Sequence, residues 1–146
     1  MNKKGVTLVE LLVVFVIIAM LALLMTPNIV GWMPSYRLRS ATRDIVSTMR
    51  YAQMKAISNS GRQYLVDFNV GTNSYILRYN TGGLVFADGP VQTAPSGITI
   101  NIAGLPGGTA TFNTDSTSSG GVVRLQNTKG TRNITVNSAT GRVMIQ

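Results

Sequence analysis

One carboxylate stands out by its position. Glu10 lies five residues after Gly5 and directly before an unbroken apolar run, Leu11 to Met25. A carboxylate beside hydrocarbon is costly, and such charges are usually paired and functional. A helix amino terminus favours the negative charge. A chain cut after Gly5 would also carry a new ammonium on Val6, one helical turn away. In an assembled bundle the partner would be a neighbour's ammonium, and Glu10 would then register one subunit against the next.

Few other groups offer reactivity. The 146 residues include no His and no Cys, 13 Lys and Arg, and 5 Asp and Glu. That excludes Ser-His-Asp and Cys-His nucleophile systems, His/Cys zinc sites, disulfides and thiol redox centres. Asp67, Asp88 and Asp115 stand in separate segments, two of them in turn-like Asp-Gly and Asp-Ser pairs. A Ser-Lys pair using Lys55 or Lys129 is formally open but has no motif around it. No catalytic residue, metal site or cofactor is expected.

The elements that hold these residues follow from hydropathy. Val6 to Met25 spans twenty residues, with only Thr7 and Glu10 polar. At about 1.5 Å per residue, such a helix matches one bilayer core. Lys3 and Lys4 precede it, which places the amino end in the cytoplasm and the rest of the chain outside. The stretch after Met25 is a poor match to a small-x-small cleavage site, so the helix is expected to be retained. Gly31 and Pro34 predict weak helix from Asn28 to Ser35.

From Tyr36 to Asn59 the apolar positions Leu38, Ala41, Ile45, Met49, Ala52 and Ala56 recur at spacings of three and four. They form one helical stripe, with Arg39, Arg43 and Arg50 nearly opposite. Arg37, Lys55 and Arg62 fall on its flank. The bland reading of these cations is a solvated face; the functional one is a surface for an acidic partner or phospholipid headgroups. Asn59-Ser60-Gly61 is a stop signal.

Beyond Gly61 the period becomes two. Tyr64, Val66, Phe68 and Val70 alternate, and about eight short strands are expected between there and Ile145, joined by Gly, Ser, Thr and Asn turns. The fold class is therefore α+β: a long amino-terminal helix packed on a β-rich antiparallel head. Ile45, Met49 and Ala52 are expected to pack on Val66, Phe68, Ile100, Phe112, Leu125 and Val136.

Lys4-Gly5-Val6-Thr7-Leu8-Val9-Glu10-Leu11 resembles the type III signal of type IV prepilins and pseudopilins, with Val6 in place of the usual Phe. Arg50-Tyr51-Ala52-Gln53-Met54-Lys55-Ala56-Ile57 and the closing Asn133 to Val143 segment resemble the GspH/FimT group of pilin-like proteins. This resemblance implies a leader over 1–5, a transmembrane and filament-core helix over 6–27, an amphipathic helix over 28–61 and a periplasmic head over 62–146. It implies cleavage by prepilin peptidase between Gly5 and Val6, N-methylation of Val6, an assembly role for Glu10 and a bend at Pro27. The implied partners are the peptidase, an inner-membrane assembly platform and other pilins or pseudopilins. The implied role is a minor pilin or pseudopilin that helps initiate or cap a type IV pilus or a type II secretion pseudopilus.

Some members of the group bind DNA through a Gly-Arg-x-Arg tail. Here the tail is Gly141-Arg142-Val143-Met144, without the second arginine. Arg124, Lys129, Arg132 and Arg142 remain as a candidate nucleic-acid patch, with no aromatic residue interleaved for base stacking.

Overall fold

The computed structural model describes residues 6–59 and 61–146, and side chains outside 24–30. The chain divides into two compact units, Met1–Met33 and Pro34–Gln146.

One helix, α1, runs over Leu8–Ser58. The weak stretch expected from Asn28 to Ser35 is helical throughout, including Gly31 and Pro34, and so is Pro27 before it. Each internal proline removes one backbone donor and costs about 3 kcal/mol. Helix propagation from long segments on both sides offsets that loss. Pro34 is also tied from outside, because Asn127 donates its side-chain amide to the Pro34 carbonyl at 2.7 Å. Asn59 closes the helix, its backbone N–H bonding the Lys55 carbonyl at 3.0 Å and its side-chain amide the same oxygen at 3.2 Å.

In the first unit, every described side chain from Val6 to Leu23 is exposed. Among the described residues no helix is long and apolar enough to cross a membrane. The described side chains stop at Leu23, whereas the apolar run of the sequence continues to Met25.

Among the described residues nine strands follow: β1 Gln63–Asn69, β2 Ser74–Thr81, β3 Leu84–Ala87, β4 Gln92–Thr93, β5 Thr99–Ala103, β6 Thr109–Phe112, β7 Gly121–Asn127, β8 Gly130–Val136 and β9 Val143–Ile145. All pairings are antiparallel. One sheet has the order β3-β2-β1-β6, with β4 also on β2; the other has the order β5-β7-β8-β9. The two-residue β4 is additional to the strands expected, since Gln92-Thr93 carries no alternation to read. Val70 lies beyond the end of β1 and is exposed.

The two sheets and the second half of α1 share one core. All six stripe residues from Leu38 to Ala56 are buried, as are Val66, Phe68, Ile100, Phe112, Leu125 and Val136. Thr42 is buried within the stripe, its hydroxyl donating to the Leu38 carbonyl at 2.6 Å. That back-bond satisfies the hydroxyl that the stripe turns to the core. β3, at the end of its sheet, is exposed along its whole length.

Candidate functional site

The amino end of α1 has defined cap geometry. Thr7 Oγ1 accepts the Glu10 backbone N–H at 3.3 Å, and the Thr7 carbonyl accepts the Leu11 N–H at 3.2 Å. Thr7 is thus the residue that caps the helix, and Glu10 stands three residues on, in the first turn. Thr-x-x-Glu is the spacing of a capping box. In the sequence the charge of Glu10 overshadows Thr7, although the capping spacing is legible there. Glu10 is exposed and sits where the unpaired amides of a helix start favour an anion. Gly5 lies outside the described residues, whereas Pro27 lies within α1 with its side chain outside those described. Val6 is described and is 71% exposed.

Of the four basic residues expected as a patch, only Lys129 and Arg132 are brought together. Arg124 pairs across β7–β8 with Asn133 and donates its Nε–H to the Asn133 side-chain oxygen at 3.2 Å, on the outer face. Arg132 pairs with Leu125, which is fully buried, so it shares the helix-facing side of the sheet. Lys129 is in the β7–β8 turn, whereas Arg142 precedes β9 at the opposite end of β8. A strand of seven residues separates those ends by roughly 20 Å.

Arg132 and Lys129 meet different partners. With Leu38 and Arg39 of α1 they line a cavity of about 380 Å³. Arg132 also lines an adjoining cavity of similar size with Arg39, Thr42, Arg43 and Ile145. Helix cations and strand cations therefore converge on one groove. In the sequence they fall in separate groups, and only the pairing register of β8 puts Arg132 on the helix side.

The closing hairpin is held to α1. The Asn137 side-chain oxygen accepts the backbone N–H groups of Ala139 and Thr140 at 3.0 and 3.1 Å. Gly141 has φ +61, and a Cβ there would lie 2.7 Å from the Ser116 carbonyl oxygen and 2.9 Å from Gln53 Nε2. Only a glycine fits a left-handed turn pressed so closely against its neighbours. Gln53 in turn donates its side-chain amide to the Thr140 carbonyl at 3.2 Å. The Gly-Arg tail is thus a docking feature of the head.

The remaining titratable groups are engaged locally. Asp67 pairs with Arg78 at 3.1 Å and accepts the Thr109 hydroxyl. The Thr117 hydroxyl and backbone hold the Asp115 carboxyl below its usual range. Its hydrogen bond to Tyr51 raises Lys55, the opposite of what a basic amine needs to accept a proton near neutral pH. Asp88 has one buried carboxylate oxygen with no hydrogen-bond partner and lines a cavity of about 430 Å³ with Ser47, Thr48, Tyr51 and Tyr75. Among the described residues no three His, Cys, Asp or Glu gather to hold a metal. These contacts position and stiffen the head; they assemble no nucleophile with a base.

Comparison with known proteins agrees with this picture. Residues 1–26 match the model of the prokaryotic N-terminal methylation motif. The chain resembles the type IV minor pilin FimU of Pseudomonas aeruginosa, with a TM-score of 0.62 and 15% identity over 79% of this chain and 92% of that one. It is similar also to the minor pseudopilin EpsH of the Vibrio cholerae type 2 secretion system, with a TM-score of 0.62 and 14% identity over 73% of this chain and 93% of that one. At such identities the likeness carries the fold, a pilin-like helix on antiparallel sheets. No curated protein matches the sequence. Residues 41–140 match the model of the type II transport protein GspH, which spans most of the chain, and the chain belongs to that family.

Proposed function

We propose that this chain is a low-abundance structural subunit that helps initiate or cap a type IV pilus or a type II secretion pseudopilus, and that it performs no catalysis. The observation that carries the reading is the helix over Leu8 to Leu23, exposed and apolar on every side, with one carboxylate in its first turn. A helix apolar all round needs either lipid or other helices around it. A filament subunit uses both in turn, the bilayer for storage and the helix bundle after extraction. Bundle packing gains helix contacts in place of lipid contacts. Glu10 then pairs with the amino terminus of a neighbour and sets the axial register.

In this scheme prepilin peptidase cuts between Gly5 and Val6 and methylates Val6. The amino end faces the cytoplasm and the head the periplasm. Removal of Lys3 and Lys4 takes two of the thirteen cationic side chains, so the leader's charge serves topology and cleavage. Intact mass of the membrane form tests the scheme. A species beginning at methylated Val6 is the expected result. A species retaining Met1, or one cut beyond Met25, overturns it.

A further inference from the structure

Three adjoining cavities, of about 380, 380 and 480 Å³, run along one side of α1 and share Arg39, Arg43, Arg132 and Ile145 as common walls. Arg39, Arg43 and Arg50 follow each other at four and seven residues, or about 6 and 10.5 Å along the axis. Arg132 and Lys129 face them from β8 and its turn. No Asp or Glu side chain lines any of the three cavities. Among the described residues, Arg78–Asp67 is the single side-chain ion pair, so the groove's guanidinium groups have no internal counter-charge.

The other wall is an open strand edge. β9 ends its sheet and pairs only with β8. Asn133 and Gln146 exchange both backbone bonds, at 3.1 and 2.8 Å, and Arg142 accepts from Asn137 at 3.0 Å. By the alternation of an antiparallel ladder, the backbone groups of Val143 and Ile145 then point away from β8. Their side chains turn to the core face, where Ile145 is 42% exposed beside the groove.

We infer that this groove takes an extended, acidic segment of a different protein subunit, which adds a strand to β9 and lays carboxylates along Arg39, Arg43 and Arg132. Strand addition supplies main-chain bonds, and alternate side chains supply specificity. Arginine forks match carboxylates with two parallel bonds. The groove also has apolar surface: Leu38 and Val46 lie buried beneath, and Met54 and Ile145 are open. That surface packs against the methylene stems of the acidic side chains and offers nothing to a phosphodiester backbone. Tyr51 is the one aromatic ring of the lining, with the Lys55 ammonium 5.3 Å from its centroid, so successive bases have no series of rings to stack on. A second copy of this chain is a poor occupant, because its net charge is +8 and its five carboxylates are dispersed. The inference rests on the assembly reading, for which it names the partner's chemistry.

The test uses the full chain in detergent micelles and a ten-residue peptide alternating Glu and Val. The expected result is salt-sensitive binding, at least tenfold weaker in the R43A/R132A variant, with amide exchange of Val143 and Ile145 slowed tenfold or more. A Lys-Val peptide should not bind the wild type but should bind an R43E/R132E variant, which guards against loss of binding through misfolding. Equal binding of the two peptides, a smaller loss in R43A/R132A, unchanged exchange at β9, or binding of a duplex oligonucleotide but not the peptide overturns the inference. Filament incorporation in cells is scored separately. Normal incorporation without peptide binding removes the groove alone, whereas wild-type protein absent from every filament removes the assembly reading.

Discussion

Gln53 on the helix and Thr140 in the last hairpin are joined by a 3.2 Å hydrogen bond across 87 residues of sequence. This bond and the close approach of Gly141 to Gln53 fasten the carboxyl tail to α1, and its approach to Ser116 ties it to the β6–β7 loop. The tail is therefore part of the packed structure.

Gly141→Ala should destabilise the head by about 1–3 kcal/mol, through the left-handed backbone and the overlap with Ser116 and Gln53. Gln53→Ala should cost about 1 kcal/mol, the net worth of one hydrogen bond. Urea denaturation followed by circular dichroism measures both. Equal stability of the Gly141 variant and the wild type would contradict the packing described.

Glu10→Ala should leave the head folded and the protein in the membrane, yet reduce its incorporation into filaments. Thr7→Ala should fray the first turn at a cost of about 1 kcal/mol. Fractionation and immunodetection of sheared filaments separate the two effects. Undiminished incorporation of the Glu10 variant would remove its assembly role.

Replacing Gly5 with a bulky residue should block processing, leaving a membrane form with Met1, Lys3 and Lys4 still present. Mass spectrometry reads this directly. Normal filament incorporation of such an uncleaved protein would count against the scheme.

Burial is the main cause holding the Tyr75 phenol above its ordinary value of 10.0. The unfolded chain then loses its phenolic proton first as pH rises. Stability from this group is intact below about pH 10 and is lost as pH climbs through the higher folded value. Tyr75→Phe should flatten part of that alkaline fall. It should also cost about 1 kcal/mol at neutral pH, because Tyr75 donates to Gln92 at 2.6 Å. Chemical denaturation at pH 7 and above 10 tests the sign.

The helical stripe was legible because burial on one face leaves a period of three and four, and Leu38 to Ala56 obey it without exception. The core-facing alternation of β1 was equally plain, with Tyr64, Val66 and Phe68 buried. Local rules failed where a distant group decides the outcome. Gly31 and Pro34 predict a break, but flanking helix and the Asn127 amide carry α1 through. Arg132 belongs to the helix side only because β8 pairs with β7 in one register, and a shift by one residue would send it outward. Thr7 is a different case, a readable capping signal overshadowed by the charge beside it.

β3 has a consequence for handling the protein. Leu84, Val85 and Phe86 lie exposed on a strand at the end of its sheet. Short apolar edges of this kind are where partly unfolded chains adhere and seed fibrous aggregates. Gly82 and Gly83 on one side, and Asp88, Gly89 and Pro90 on the other, limit that adhesive stretch to four residues. They act as gatekeepers, and replacing Pro90 by an apolar residue would lengthen the sticky edge without touching the core.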